Sequence, residues 1–223
     1  VCVFPDGRVI LGPLPDGEDY IWPRVADIRF LLDQLPGLHA SGPFAGRLDL
    51  ERIGMFGASR GGYLSNISAV QDPRIRAAAN MDGFLWGLWT QGTGLSEYPP
   101  EFQAKARALR TPILRLLGEQ PDPASAQAKF EEESRDFGGD FISIEFQGWK
   151  HNGFSSEPLF CGVPKNWPPS SRPPVAAEEN IRLQTDVHLA FFGHYLRGEG
   201  SRDSPDFPAG RITIRHRNIP GHE

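Results

Sequence analysis

The segment Leu48–Ala69, LDLERIGMFGASRGGYLSNISA, passes from an apolar strand pattern to a helical one with no loop between them. A single serine, Ser59, stands at the junction in the frame Gly57-Ala58-Ser59-Arg60-Gly61. A chain that reverses this tightly strains the backbone of the junction residue, and the flanking positions must be glycine or similarly small to avoid collision. The result is a nucleophile elbow, which lifts a serine hydroxyl clear of the sheet. A Gly-x-Ser-x-Gly frame arises by chance about 0.2 times in a chain of this composition. The frame alone is therefore weak, and its strand-to-helix setting carries the reading.

The rest of the chain suits a fold that can hold such an elbow. Its 223 residues fit one domain with a substantial core, expected over residues 1–200, with a C-terminal tail over 201–223. The net charge of −5 comes from intermixed charges without a basic run, so neither nucleic acid nor an anionic lipid surface is an expected partner. A small neutral or zwitterionic ligand fits better. Cys2 and Cys161 match no zinc or redox spacing and read as unlinked thiols; no metal or organic cofactor is expected. No stretch approaches the ~18 apolar residues of a membrane span. The chain opens at Val1 directly in strand-like residues, and the expectation is that the first strands of the sheet lie outside it. Compartment and oligomeric state are not legible.

Strand and helix patterns alternate along the sequence. Val1–Leu11 reads as a hairpin around Pro5-Asp6-Gly7. Pro23 suits a first helical turn, with Val25, Ile28, Leu31, Leu32 and Leu35 on one face until Pro36 ends the pattern. Buried strands are expected at Ile53–Phe56, Arg76–Met81 and Pro112–Leu117. In Phe141–Phe146 apolar residues alternate with Ser143 and Glu145, the pattern of an edge or half-exposed strand. Helices are expected at Phe102–Leu109 and after Pro123. A last long helix carries the stripe Ile181, Thr185, His188, Phe192 and Tyr195. The run Arg211–Arg215 is β-like within a tail expected to fray. Such alternation predicts an α/β fold with a mostly parallel sheet and flanking helices.

A serine hydroxyl is a poor nucleophile unless a histidine takes its proton and a carboxylate holds that histidine in one tautomer. Of six histidines, His151 sits just beyond a strand, where loops gather at the carboxyl edge of a parallel sheet, and follows Ser59 in the chain. His188 and His194 lie within the last helix, His39 precedes the serine, and His216 and His222 are in the tail. Two acids end strands after the serine, Asp82 and Asp122, and the residues alone do not choose between them.

The run Arg52-Ile-Gly-Met-Phe-Gly-Ala-Ser-Arg-Gly-Gly62, followed by Gln71-Asp-Pro-Arg-Ile-Arg-Ala-Ala-Ala-Asn-Met-Asp-Gly-Phe84, resembles the platelet-activating factor acetylhydrolase family of α/β-hydrolase serine esterases. Arg24–Leu35 and Phe191–Gly198 extend the likeness. The resemblance implies an α/β-hydrolase fold and hydrolysis of carboxylic esters, with short-acyl phospholipids or other lipid esters as substrates. It implies an acid at the end of the strand after the nucleophile, in the context that Met81-Asp82-Gly83 matches. It also implies a histidine in a Gly-x-x-His-x-x-Phe context, matched by Gly148–Phe154. The expected triad is Ser59, His151 and Asp82.

Ala58-Ser59-Arg60 departs from the family's His-Ser-Phe or His-Ser-Leu. Two oxyanion donors are required: the Arg60 N–H, and a second from a loop after an earlier strand, often His-Gly. No such segment precedes Ser59. Phe84, Trp86, Trp89 and Tyr98, with Trp149 beside His151, are candidates for the substrate pocket. Two alternatives stay open: a thioesterase or peptidase on the same fold using Asp122, and a non-catalytic fragment lacking half the oxyanion hole.

Overall fold

The computed structural model describes residues 2–3, 9–10, 18–86, 95–135, 137–154, 176–200 and 212–217. Cys161, Trp89 and His222 lie outside them. At the start, β1 (Cys2–Val3) and β2 (Val9–Ile10) pair antiparallel, as the hairpin pattern requires. The main sheet has five strands in the order β3 (Ile53–Ala58), β4 (Ile75–Met81), β5 (Ile113–Gly118), β6 (Phe141–Phe146), β7 (Ile212–Arg217). The first four are mutually parallel, and β7 runs antiparallel to β6. Parallel neighbours need crossovers, supplied by α2 (Arg60–Gln71), α3 (Pro100–Ala108) and α4 (Pro123–Arg135). Helices α1 (Glu18–Ala40) and α5 (Ala177–Arg197) complete the layers.

Side-chain alternation along the strands divides the interior in two. Ala78, Ile113 and Phe141 face α1, α2 and α3, joining Val25, Leu32, Leu64, Ile67 and Phe102. Ala77, Ala79, Leu114, Leu116, Ile142 and Ile144 face α5, meeting Leu183, Val187 and Phe191. Strands covered on both faces read as near-continuous apolar runs, which is why β4 and β5 were legible.

Several expectations are corrected. Helix α1 starts before Pro23 and continues past Pro36, both of which lie inside it. Its inward positions are Ile21, Val25, Ile28, Leu32 and Leu35, spaced by fours and threes, whereas Leu31 is exposed, about 100° round the helix from Leu32. Strand β3 is only half-buried: Phe56 is 62% exposed because β3 ends the sheet order and its second face is incompletely covered.

Strand β6 is not an edge. Of the expected Arg211–Arg215 run, residues 212–215 do not fray but belong to β7, paired with β6 from Phe141↔Arg217 to Phe146↔Ile212. Ser143 and Glu145 are therefore buried, and Arg215 Nη1 donates to Glu145 Oε2 at 2.9 Å. The buried Glu145 of β6 marks a partner in β7, not solvent. Removing one member of a buried ion pair leaves the other charge uncompensated. Arg215→Met is expected to destabilise the fold by about 3 kcal/mol, and Arg215→Met with Glu145→Gln to recover most of it, both read from urea unfolding.

Candidate active site

Three strands deliver residues to the same carboxyl edge of the sheet. Strand β3 ends at Ala58, Ser59 follows at φ 55°, ψ −119°, and α2 begins at Arg60. A non-glycine residue at this φ is strained, and the neighbours hold it there. Ser59 N–H donates to the Met81 carbonyl of β4 at 2.8 Å, and Tyr63 N–H donates to the Ser59 carbonyl at 3.1 Å. A methyl group on Gly57 would overlap the Gly61 backbone, so the strand and helix approach as closely as glycine permits. The Arg60 N–H stands at the positive end of the α2 dipole. Among the described residues, the Ser59 hydroxyl has no hydrogen-bond partner.

Strand β4 ends at Met81, and Asp82 also takes a positive φ of 52°. Its N–H donates to the Leu116 carbonyl at 2.8 Å, while its Oδ1 accepts from Gly118 N–H at 3.2 Å. These contacts leave Oδ2 for His151, whose Nδ1 lies 2.7 Å away. His151 opens a short 3-10 turn, His151–Phe154, after β6. Trp149 anchors that turn: its ring is buried against Phe146 and Phe154, and its carbonyl accepts from Glu119 N–H at 2.9 Å. From α5, Asn180 Nδ2 donates to the Gly153 carbonyl at 2.8 Å. The histidine is thus carried by a fixed loop although its own side chain is 55% exposed.

The Asp82 hydrogen bond is the main influence on the His151 imidazole and raises its pKa above the ordinary value, against the lowering effect of partial burial. With Nδ1–H directed to the carboxylate, Nε2 is the nitrogen able to take a proton. His188 and His39 are held differently. His188 Nδ1 donates to the Gln184 carbonyl at 2.7 Å, and burial pushes its pKa down, keeping it neutral. His39 Nδ1 accepts from Leu48 N–H at 3.3 Å. Asp122 does different work: it caps α4, accepting from Ser125 N–H at 2.8 Å and from the Ser125 hydroxyl at 2.6 Å, which lowers its pKa. Pro123 then opens the helix.

Ser59 and His151 share a cleft of ≈ 760 Å³. Its walls are largely apolar, with Phe56, Met81, Ile181, Leu189 and Phe192 among them. Four of the expected pocket residues are elsewhere. Trp86 is buried, stacked on Phe137 at 4.6 Å, and Trp149 is sealed in the opposite core. Phe84 is partly exposed but does not line the cleft, and Tyr98 is buried against Phe102.

The residues that do line it were missed, although a signal existed. Ile181, Thr185, His188 and Phe192 form the expected α5 stripe, but that stripe faces the cleft. The face packed on the sheet is Leu183, Val187 and Phe191. Among the described residues, no group of three or more His, Cys, Asp or Glu side chains could hold a metal ion, and no helix is long and apolar enough to cross a membrane.

No family model matches the chain. A stretch of 38 residues is 64% identical to a 20-hydroxy-prefusarin hydrolase of Gibberella moniliformis (strain M3125 / FGSC 7600), covering 17% of this chain and 9% of that protein. A ferulic acid esterase from Streptomyces cinnamoneus has a similar structure, with a TM-score of 0.69 and 25% identity over 96% of this chain and 61% of that one. The chain thus has an esterase-type α/β-hydrolase fold and spans less than two thirds of the length of both relatives. Neither relative is a platelet-activating factor acetylhydrolase. The likeness read from the sequence stands at the level of ester hydrolases, and the narrower family is a matter for proposal.

The raised His151 pKa has a definite consequence for stability. Its contribution is complete below the unfolded value of about 6.5 and is lost as pH rises through the higher folded value. Asp82→Asn is expected to lower the His151 midpoint and abolish this contribution, as read by NMR titration of the imidazole C2 proton.

Proposed function

We propose that the protein is a serine hydrolase of carboxylic esters in which Ser59 is the nucleophile, His151 the general base and Asp82 the residue that orients it. The observation that carries this reading is the 2.7 Å bond between His151 and Asp82 beside a serine on a strained strand-to-helix turn. The Ser59 oxygen attacks the acyl carbon while its proton passes to His151 Nε2. The ester C–O bond then breaks, and Nε2 returns the proton to the departing alcohol. Water, deprotonated by the same nitrogen, attacks the acyl-enzyme and releases the carboxylic acid. The Arg60 N–H supplies one donor for the oxyanion, assisted by the α2 dipole. Catalytic hydrogen bonds tighten on substrate binding, so a Ser59 hydroxyl unbonded in the free protein fits this role.

The apolar cleft supports an acyl or alkoxy group of hydrocarbon character. Among the described residues no Lys or Arg lines the cleft, which favours neutral esters over charged phospholipid headgroups that call for a cation. Lipid esters without a charged headgroup belong to this class, as do other apolar esters, whereas the short-acyl phospholipids that the sequence resemblance implies do not.

Assays of the full-length protein on a series of p-nitrophenyl esters test the reading. Ser59→Ala is expected to abolish turnover, Asp82→Asn to lower kcat by about 10⁴, and Asp122→Asn to leave it near wild type. Because the base must be neutral, kcat/KM should rise with pH through a midpoint above 6.5, the ordinary histidine value. Loss of activity in Asp122→Asn with Asp82→Asn unimpaired would overturn the acid assignment.

A further inference from the structure

Asn80 is buried to 0% exposure near the carboxyl end of β4, directly after Ala77, Ala78 and Ala79. An amide is costly in such a place unless its polar atoms are bonded, and those of Asn80 are. Its Oδ1 accepts from Gly83 N–H at 2.8 Å, and its Nδ2 donates to the Phe84 carbonyl at 3.1 Å. Both partners lie just beyond Asp82, so one side chain spans the turn that carries the acid in its positive-φ conformation.

The same amide touches the nucleophile elbow. A methyl group added to Gly62, in the first turn of α2, would overlap Asn80 Oδ1. One added to Gly83 would lie 2.7 Å from that oxygen and would overlap the Ser59 carbonyl. Asn80 therefore fills a slot between two glycines, one from each turn. It is also in register with Gly57 on one side and with Arg115 on the other. Arg115 Nη2 points to the Gly83 carbonyl at 3.4 Å, so the peptide groups around Gly83 are held by Asn80 through the N–H and by Arg115 through the C=O. Arg115 is in turn paired with Glu133 of α4. The charged groups around Asp82 are thus Arg115 from β5, Lys129 from α4 and His151 from the loop after β6.

We propose, on the basis of the serine-hydrolase reading above, that Asn80 is a positioning residue for the reaction: it fixes the Asp82 turn against the Ser59 elbow and so keeps the acid in reach of His151. Without the amide, the turn loses the bonds that hold Asp82 at positive φ. Its carboxylate then withdraws from His151 Nδ1, and the base loses both its orientation and its raised basicity.

The test uses the full-length protein. Labelling of Ser59 with a fluorophosphonate counts competent nucleophiles, so that kcat is expressed per labelled site. Asn80→Ala is expected to lower that kcat by about 10²-fold with KM within about twofold, the scale of a misplaced catalytic group. The midpoint of its kcat/KM profile should fall toward the ordinary histidine value. Asn80→Asp, which keeps the acceptor for Gly83 N–H, should recover part of the loss.

An Asn80→Ala protein with unchanged kcat per site and unchanged pH midpoint would overturn the inference. So would a loss explained entirely by fewer labelled sites. Should Asn80→Ala fail to fold, Gly62→Ala crowds the same oxygen from the α2 side, and an unchanged midpoint there has the same force. Absence of labelling and turnover in the wild type would instead sink the hydrolase reading. The His151 imidazole titration by NMR then still decides whether Asn80 controls the Asp82–His151 pair: a midpoint that is the same in Asn80→Ala and wild type rules it out.

Discussion

The backbone contact between the end of β3 and the first turn of α2, at Gly57 and Gly61, is the constraint on which the site depends. With any Cβ at Gly57 the helix would have to back away from the strand. Ser59 could then no longer keep its positive φ or its 2.8 Å bond to the Met81 carbonyl. That bond is what ties the elbow to β4. Since β4 also ends in Asp82, the spacing between Ser59 and Asp82 follows from the spacing of two adjacent parallel strands, about 4.8 Å apart. His151 needs more apparatus because it comes from two strands beyond β4. It is brought in by the Trp149 anchor and held from behind by Asn180 and Gln184 of α5.

A row of buried polar residues runs across the sheet beneath this edge. Gly57, Asn80, Arg115, Ser143 and Arg215 are successive register partners on β3, β4, β5, β6 and β7. Their polar members lie on the face opposite α5, where Arg115 reaches Glu133 of α4 and Arg215 reaches Glu145. An apolar row would have been simpler to bury, since desolvated ion pairs add little net stability. Their geometry offers what hydrocarbons cannot, namely directional bonds that fix the turn after β4.

The elbow was legible because its constraint is local: glycine at fixed offsets, a strand before and a helix after. The parallel sheet was legible for a similar reason, since β4 and β5 are mostly apolar, interrupted by Arg76 and Asn80 in one and by Arg115 in the other. What failed depended on pairing between distant segments. Ser143 and Glu145 look solvent-facing until β7, some 70 residues later in the Arg215–Glu145 bond, supplies their cover. The acid could not be chosen from residues alone because both aspartates follow strands. Yet Asp122-Pro123-Ala124-Ser125 carries the pattern of a helix cap, and that cap occupies its carboxylate. The α5 stripe was legible as a stripe, but its partner was not, because a helix with two apolar faces does not announce which one the sheet will take. Trp86 and Trp149 were drawn to the site by closeness in sequence, whereas large aromatic rings gain most by complete burial.

The cleft face of α5 bears on how the pair at the sheet edge can act. His151 is more than half exposed, and in water an ion pair at contact distance is worth only about 1 kcal/mol. The bond to Asp82 orients the ring in the free protein, but the solvent around it weakens any charge stabilisation there. An apolar ligand lying along Phe56, Leu189 and Phe192 would displace that solvent from the side of the cleft. Leu189 is 67% exposed and so has most of its surface to offer. The same contact that binds the hydrocarbon part of an ester would then raise the strength of the His151–Asp82 interaction and of the α2 dipole at the moment charge develops. On the serine-hydrolase reading proposed above, binding and electrostatic activation would in this sense be one event, and the cleft face of α5 would contribute to it without touching a proton.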